Sequence, residues 1–190
     1  MTEYFFVRHA ECKKNLERIM GGPGMSLTET GARQARHLAD ELALMTHRPA
    51  IVACPAVQAI ETAEVIAAML KCDVSVDGLL IPAGMGLVSG LAADEIERRY
   101  PKYAHELERW RNLEIEACEL KIPGIEPPEE FWSRSVSALR AHKVHDQVIV
   151  VATRSIMVLA ANLSMGHGPE PGGGYKHVVV GYCQIVTVRL

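Results

Sequence analysis

The sequence predicts a single α/β domain of three layers, in which a mainly parallel sheet carries helices on both faces. Short apolar runs alternate along the chain with longer segments whose apolar residues recur at helical spacing. The short runs are apolar throughout, which is typical of strands that are buried on both faces of a sheet. Strands separated by helices pair in parallel, because a parallel pair needs a long crossover connection.

Predicted strands and helices alternate along the whole chain. The strands are predicted at residues 4–7, 50–54, 74–76 and 147–152, with a closing strand near 184–188. The helices are predicted from Thr28 to about residue 43 and over 59–70, 94–120, 129–142 and 155–164. Thr28 can cap the first of these helices, and Pro101 breaks the third. No repeat or linker divides the chain, so residues 1–190 are predicted to form one domain.

The balance of charge and the cysteine pattern argue against several classes of protein. The chain has 20 Lys and Arg residues against 23 Asp and Glu, a net charge of −3, without a long basic run. A protein that binds nucleic acid or an anionic membrane usually has a cationic face, so neither partner is predicted. The longest apolar stretches are far shorter than the roughly 20 residues that cross a bilayer. The five cysteines form no C-x-x-C pair, which predicts reduced thiols and a cytoplasmic location.

No metal or cofactor is predicted. His142 and His145 have the H-x-x-H spacing of some metal sites, but they lie at a predicted helix end. The helix dipole favours cations at that end, so a solvated helix terminus is the expected role of this pair.

Polar residues follow three predicted strands at the point where each strand ends. They are Arg8 and His9, the Cys54-Pro55 pair, and the segment Thr153-Arg154-Ser155. Ligands of open α/β sheets collect beyond the carboxyl ends of the strands, so a pocket is predicted there. Taken alone, Arg8 and His9 leave a structural alternative open, in which Arg8 pairs with a carboxylate and His9 is an ordinary loop residue.

Several segments of the chain resemble those of one known family, in the same order. They are FFVRHAECKKN (5–15), GGPGMSLTETGARQARHLADEL (21–42), CPAVQAIETAEVIA (54–67), PGIEPPEEFWSR (123–134) and VIVVATRSIMVLAANL (148–163). They resemble the histidine phosphatase superfamily, whose members share the phosphoglycerate-mutase-like fold. Its members typically begin with a strand ending in Arg-His-Gly-Glu-Thr and an Asn four residues past the Glu. Here Arg8, His9, Glu11 and Asn15 match that pattern.

The resemblance implies phosphoryl chemistry. In this family the reactive histidine attacks a phosphate and becomes phosphohistidine, which water then hydrolyses. Two arginines and a second histidine hold the phosphoryl oxygens, and a carboxylic acid protonates the leaving oxygen. The resemblance therefore makes His9 the candidate phosphoryl acceptor, Arg8 a phosphate clamp, and Asn15 a polar contact to the same phosphate.

Three positions depart from the family pattern, which predicts a degenerate active site. The second arginine falls on Gln58, the second histidine on Thr153, and the acid on Pro82. Gln58 and Thr153 remain candidate anion-binding residues, because both side chains can donate a neutral hydrogen bond. Pro82 can donate nothing from its side chain.

Compensation for these losses is left open. Arg154 is a candidate to supply the missing cation, or it faces outward on the first helical turn. Glu126, or an acid from residues 106–119, is a candidate to reach the leaving group.

The same resemblance predicts a lid. In related proteins an insertion covers the pocket, and residues of approximately 79–127 are expected to form a loop and helical lid here. Trp110 and Arg111 are its candidates for contact with the ligand, and a plain exposed helix is the alternative.

Three hypotheses about function follow. The first is a phosphomonoesterase or phosphoglycerate-mutase-like enzyme that acts on a small phosphorylated or anionic metabolite through His9, with weak or altered activity. The second is a catalytically inactive relative that binds a small anion or a protein partner. The third is a non-phosphoryl enzyme that reuses the pocket. We expect poor hydrolysis of ordinary phosphomonoesters, and a homodimer is left open.

Overall fold

Five strands form one sheet in the computed structural model, which describes residues 1–190. They are β1 (Glu3–Arg8), β2 (Ala50–Ala53), β3 (Val74–Val76), β4 (Gln147–Ala152) and β5 (Ile185–Arg189). Their order across the sheet is β3-β2-β4-β1-β5, and only β5 runs antiparallel to its neighbour. The predicted α/β class with a mainly parallel sheet is therefore confirmed.

The central strands β1 and β4 are covered on both faces. Every residue from Tyr4 to Arg8 and from Val148 to Ala152 is buried. Successive side chains of a strand point to opposite faces, so burial of consecutive residues requires packing on each side of the sheet. This burial is why the strands are recognisable in the sequence as unbroken apolar runs.

Seven helices surround the sheet. They are α1 (Lys13–Leu16), α2 (Glu29–Met45), α3 (Val57–Leu70), α4 (Ala93–Arg99), α5 (Pro101–Arg111), α6 (Pro128–Ala141) and α7 (Arg154–Met165). Thr28 caps α2 as predicted, since its Oγ1 accepts a hydrogen bond of 2.9 Å from the Gly31 N–H. The helix predicted to run to residue 120 ends earlier, because Asn112 closes α5 and Leu113 adopts a left-handed backbone with φ of 63°.

Gly31 lies in the first turn of α2, where the helix touches the segment that follows His9. A Cβ atom at this position would collide with the backbone carbonyl of Glu11. We expect Gly31→Ala to lower the free energy of unfolding by about 1–3 kcal/mol, the usual cost of overpacking. Urea denaturation measures the change.

Gly78→Ala is the matched control, because a Cβ at Gly78 meets no atom within 4 Å and the backbone φ is not positive. That variant should unfold within about 0.5 kcal/mol of the parent. Equal stability of the two variants would contradict the close packing of α2 against Glu11.

The strand order places three carboxyl ends side by side. In the register of the sheet Val7 and Ala53 both pair with Val151, so β2, β4 and β1 end together. Because β5 is antiparallel, its first residue Ile185 also lies opposite Val7. The polar residues that follow or precede these strands are thereby gathered at one edge of the sheet.

All five cysteines are free. No helix of the chain combines the length and the apolar character that crossing a membrane requires.

Candidate active site

One cavity of about 460 Å³ lies at the carboxyl edge of the sheet. It is lined by the six residues that the sequence predicts as catalytic or anion-binding: Arg8, His9, Asn15, Gln58, Thr153 and Arg154. Arg8 ends β1 and His9 follows it, and both line the cavity together with Thr153 and Arg154 at the start of α7. This arrangement is expected because β1 and β4 end at the same edge of the sheet. The structure brings the six together, and their chemical roles stay predictions.

His9 is held with one ring nitrogen engaged by the backbone. Its Nδ1 lies 2.7 Å from the carbonyl oxygen of Ala10, and the side chain is buried. A carbonyl oxygen only accepts hydrogen bonds, so Nδ1 carries the proton and Nε2 keeps its lone pair. Burial, together with smaller effects of the positive charges on Arg8, Lys14 and Arg154, lowers the pKa of His9 to about 4. The imidazole is therefore neutral at pH 7.

Arg8 lies beside His9 and has no carboxylate partner, which excludes the simple ion pair considered above. Its Nη1 donates to the carbonyl of Val180, and its guanidinium lies 4.4 Å from the centre of the Tyr182 ring. Its Nε is buried without any hydrogen-bond partner. Buried polar donors are almost always paired, so an unpaired N–H is unusual for a residue that lines a cavity.

Asn15 is oriented by a neighbouring thiol. Burial raises the pKa of Cys12, which keeps the thiol protonated, and its Sγ donates to Asn15 Oδ1 at 2.8 Å. With Oδ1 occupied, the amide NH2 of Asn15 is left as a donor toward the cavity.

Gln58 and Thr153 are both buried and contribute only neutral donors. Gln58 Oε1 accepts a hydrogen bond of 3.2 Å from the Met25 N–H, which leaves its NH2 group free. Thr153 Oγ1 lies 3.3 Å from Ser155 Oγ. Neither side chain replaces the charge that an arginine or a protonated histidine would bring.

Two helix N-termini begin at this edge without side-chain caps. Thr153 precedes α7 and Ala56 precedes α3, and neither makes a side-chain hydrogen bond to the first turn. Uncapped N–H groups and the positive end of the helix dipole attract anions. The backbone therefore adds positive potential to the cavity.

The side chains of the cavity are strongly cationic although the whole chain is acidic. Five cationic residues line it, against one carboxylate: Arg8, Lys14, Arg18, Arg111 and Arg154, against Glu126. Arg154 is exposed and makes no ion pair, but it borders the cavity and so does not simply face away from it. This excess of positive charge favours an anionic ligand.

Glu126, the only carboxylate in the lining, is already engaged. Arg134 donates to it through Nε at 2.6 Å and Nη2 at 2.8 Å, and the Gly84 N–H donates at 2.9 Å. Burial alone raises the pKa of Glu126, but the bonds from Arg134 and Gly84 outweigh it and the net pKa is lowered. Glu126 is therefore ionised at neutral pH and cannot donate a proton to a leaving group.

The segment predicted as a lid borders the cavity. Trp110 and Arg111, at the end of α5, are lining residues, as is Pro82 at the expected position of the acid. The Trp110 ring lies 4.6 Å from that of His177, centre to centre. That residues 79–127 act as a movable cover stays a prediction.

Several lining residues were missed by the sequence analysis, among them Tyr182, Lys14 and Arg18. Tyr182 precedes β5, and its place beside Arg8 follows from the antiparallel direction of that strand, whereas the sequence predicts a pocket only at the carboxyl ends of parallel strands. Lys14 lies on the four-residue helix α1, which has too few residues to show a periodicity that predicts burial.

No group of three or more His, Cys, Asp or Glu side chains is placed to hold a metal ion. His142 is not a solvated helix terminus as expected, because its Nε2 lies 2.9 Å from Asp77 Oδ2 and the pair is half-buried.

Comparison with known proteins points to one family. The family model described as histidine phosphatase superfamily (branch 1) matches residues 4–190. The chain is 30% identical over 145 residues, 74% of its length, to the probable phosphoglycerate mutase GpmB of Proteus mirabilis. It spans only about 63% of the length of the curated relatives that it matches.

Solved structures share the fold at low identity. YhfR of Bacillus stearothermophilus superposes with a TM-score of 0.80 at 21% identity, over 100% of this chain and 92% of that one. A mycobacterial glucosyl-3-phosphoglycerate phosphatase superposes with a TM-score of 0.77 at 24% identity, over 98% and 92%.

Proposed function

The chain belongs to the histidine phosphatase superfamily (branch 1), and from that membership we propose that its cavity binds a small phosphorylated molecule and that His9 accepts the phosphoryl group. One observation carries the proposal. The 2.7 Å contact of His9 Nδ1 with the Ala10 carbonyl leaves a neutral Nε2 lone pair in a cavity lined by five cationic side chains. The phosphatase and mutase names of the relatives support the same substrate class.

The first chemical step is attack of the Nε2 lone pair on phosphorus. A nitrogen–phosphorus bond forms, the bond from phosphorus to the leaving oxygen breaks, and the leaving group departs with that electron pair. The positive charge that develops on the ring is shared with Nδ1–H, which donates to the Ala10 carbonyl. Arg8 and the N-terminus of α7 offset the charge on the phosphoryl oxygens.

Hydrolysis completes the cycle in the proposed enzyme. Water attacks phosphorus, the nitrogen–phosphorus bond breaks, its electron pair returns to Nε2, and a proton leaves to solvent. No lining residue is a protonated carboxylic acid, because Glu126 is ionised and bound to Arg134. The first step is therefore fast only for leaving groups that depart without a proton, and alkyl phosphomonoesters are poor substrates.

The arrangement also favours ligands that carry more than one negative charge. Three exposed arginines line the cavity, and none has a carboxylate within ion-pair distance: Arg18, Arg111 and Arg154. Free guanidinium groups bind carboxylate or phosphate through two parallel hydrogen bonds. A second anionic group on the phosphorylated ligand would bind to these guanidinium groups.

A binding protein without turnover is the second candidate function. The observation in its favour is that Gln58, Thr153 and Pro82 all line the cavity and supply neither charge nor an acid. Both candidates require anion binding, and only the enzyme requires phosphoryl transfer.

Inorganic phosphate is expected to bind the cavity, and Gln58→Arg is expected to tighten that binding about tenfold, the effect of one added charge-assisted bond. Calorimetric titration of the parent and the variant measures both affinities. Gln147→Arg is the matched control, because Gln147 likewise accepts a backbone N–H bond but lies at the opposite end of β4. A parent without phosphate affinity, or equal affinities for the parent and Gln58→Arg, would contradict the proposed site.

A further inference from the structure

Lys14 is the only buried lysine of the chain, with 9% of its surface exposed, and it has no acidic partner. Its Nζ makes one hydrogen bond, to the carbonyl of Gly22 at 3.3 Å. An ammonium group has three protons to donate, so two find no partner in the protein. Lysine is almost never buried without a counter-charge, which makes this arrangement unusual for a purely structural residue.

The groups nearest to Lys14 do not neutralise it. Cys12 and Cys54 are the titratable groups whose ionisation would favour the charged form of Lys14, but burial raises the pKa of both thiols, so both stay protonated and neutral at pH 7. The opening that Lys14 borders is the cavity that also contains His9. An anion in that cavity is the one counter-charge that the site can receive.

Lys14 and Gln58 are attached to the same short loop. Lys14 Nζ bonds the Gly22 carbonyl, and Gln58 Oε1 accepts from the Met25 N–H. Gly24, between them, packs directly against Gln58 Oε1 and the backbone of Val57. The loop 22–25 therefore holds the lysine of α1 beside the start of α3.

We propose that Lys14 binds the phosphoryl group of the ligand and supplies the positive charge that position 58 lacks. This inference rests on the proposed function of the cavity. In this proposal the positive charge comes from Lys14 on α1, whereas the resemblance places it at position 58 in the first turn of α3, on the other side of the loop 22–25. The number of positive charges that bind the phosphoryl group is therefore the same. A lysine brings a compact charge and rotatable donors, so it holds phosphate without the two-bond geometry of an arginine.

The test is titration with inorganic phosphate of Lys14→Met and of Lys13→Met, its exposed neighbour on α1. Both variants lose one positive charge, and methionine keeps the length of the buried stem. Lys14→Met should bind phosphate about 10–100-fold more weakly, the effect of one charge-assisted hydrogen bond. Lys13→Met should stay within about twofold of the parent, because exposed charges are screened.

Further variants separate ligand binding from loop support. Lys14→Arg should keep most of the affinity. Gln58→Arg introduced into Lys14→Met should bind phosphate more tightly than Gln58→Met introduced into Lys14→Met, because both double variants lack the bond from the Met25 N–H and only the first returns a positive charge. Thermal unfolding confirms that each variant is folded at the temperature of the titration.

If the folded Lys14→Met variant binds phosphate as tightly as the parent, this inference is overturned and the proposed function is not. Equal phosphate affinity of the Lys14→Met variants that carry arginine and methionine at position 58 would also overturn it, and would assign Lys14 to support of the loop. A parent that binds no phosphate would overturn both this inference and the proposed function.

Discussion

His9→Ala is expected to reduce phosphoryl transfer by on the order of 10³-fold or more, because the variant lacks the atom that forms the bond to phosphorus. Release of dinitrophenolate from dinitrophenyl phosphate measures the rate, since this leaving group departs without a proton. Phosphate affinity should change much less, because Arg8 and the helix N-termini remain. A selective loss of rate distinguishes a nucleophile from a binding residue.

The pH dependence gives a second view of the same residue. The pKa of His9 is lowered to about 4, so the imidazole stays neutral from pH 8 to pH 6 and the rate should not fall over that interval. Protonation removes the lone pair only as the pH falls through about 4. A histidine with the ordinary pKa of about 6.5 would lose most of its neutral form by pH 6.

His37→Ala is the control for the substitution, because His37 is exposed on α2 and lies outside the cavity. It should leave the rate unchanged. Turnover by His9→Ala within about tenfold of the parent would remove His9 from the role of phosphoryl acceptor.

The identity of the leaving group is expected to change the hydrolysis rate far more than it would in a site that contains a general acid. Without a proton donor, glycerol phosphate should be hydrolysed slower than dinitrophenyl phosphate by an additional factor of about 10²–10⁴. Pro82→Glu should raise the glycerol phosphate rate selectively, because Pro82 lines the cavity at the position where the resemblance places the acid. Steady-state rates with both substrates measure the effect.

Pro82→Gln is the control, since glutamine has the shape of glutamate without its acidic proton. It should leave both rates near those of the parent. Similar rates of the parent with both substrates would mean that the cavity contains a proton donor other than Glu126, and the account of the missing acid would fail.

The strands and their ends were predictable because their cause is local. Tyr4–Val7 and 148–152 are apolar at every position, which only burial on two faces explains, and each run stops where a polar residue begins the loop. Parallel pairing then places the carboxyl ends together, so the sequence alone assigns His9 and Thr153 to one pocket.

Long-range contacts were not predictable in this way. The bond of Lys14 to Gly22 depends on a loop with no periodic pattern, and the pair of Glu126 with Arg134 depends on the angle at which α6 begins. Tyr182 contacts Arg8 because β5 is antiparallel, and the residues of this last strand form no pattern that predicts its direction. The excess of positive charge therefore became clear only from the assembled cavity.

Phosphorylation of His9 Nε2 is the step that defines the proposed enzyme. Rapid mixing of the protein with dinitrophenyl phosphate, an alkaline quench, and mass spectrometry of the intact chain and its peptides tests it most directly. We expect a burst of dinitrophenolate that equals the protein concentration and a single phosphoryl group on His9, stable to alkali and lost in acid. Release of dinitrophenolate without any phosphorylated protein, or with the phosphoryl group on another residue, would contradict it.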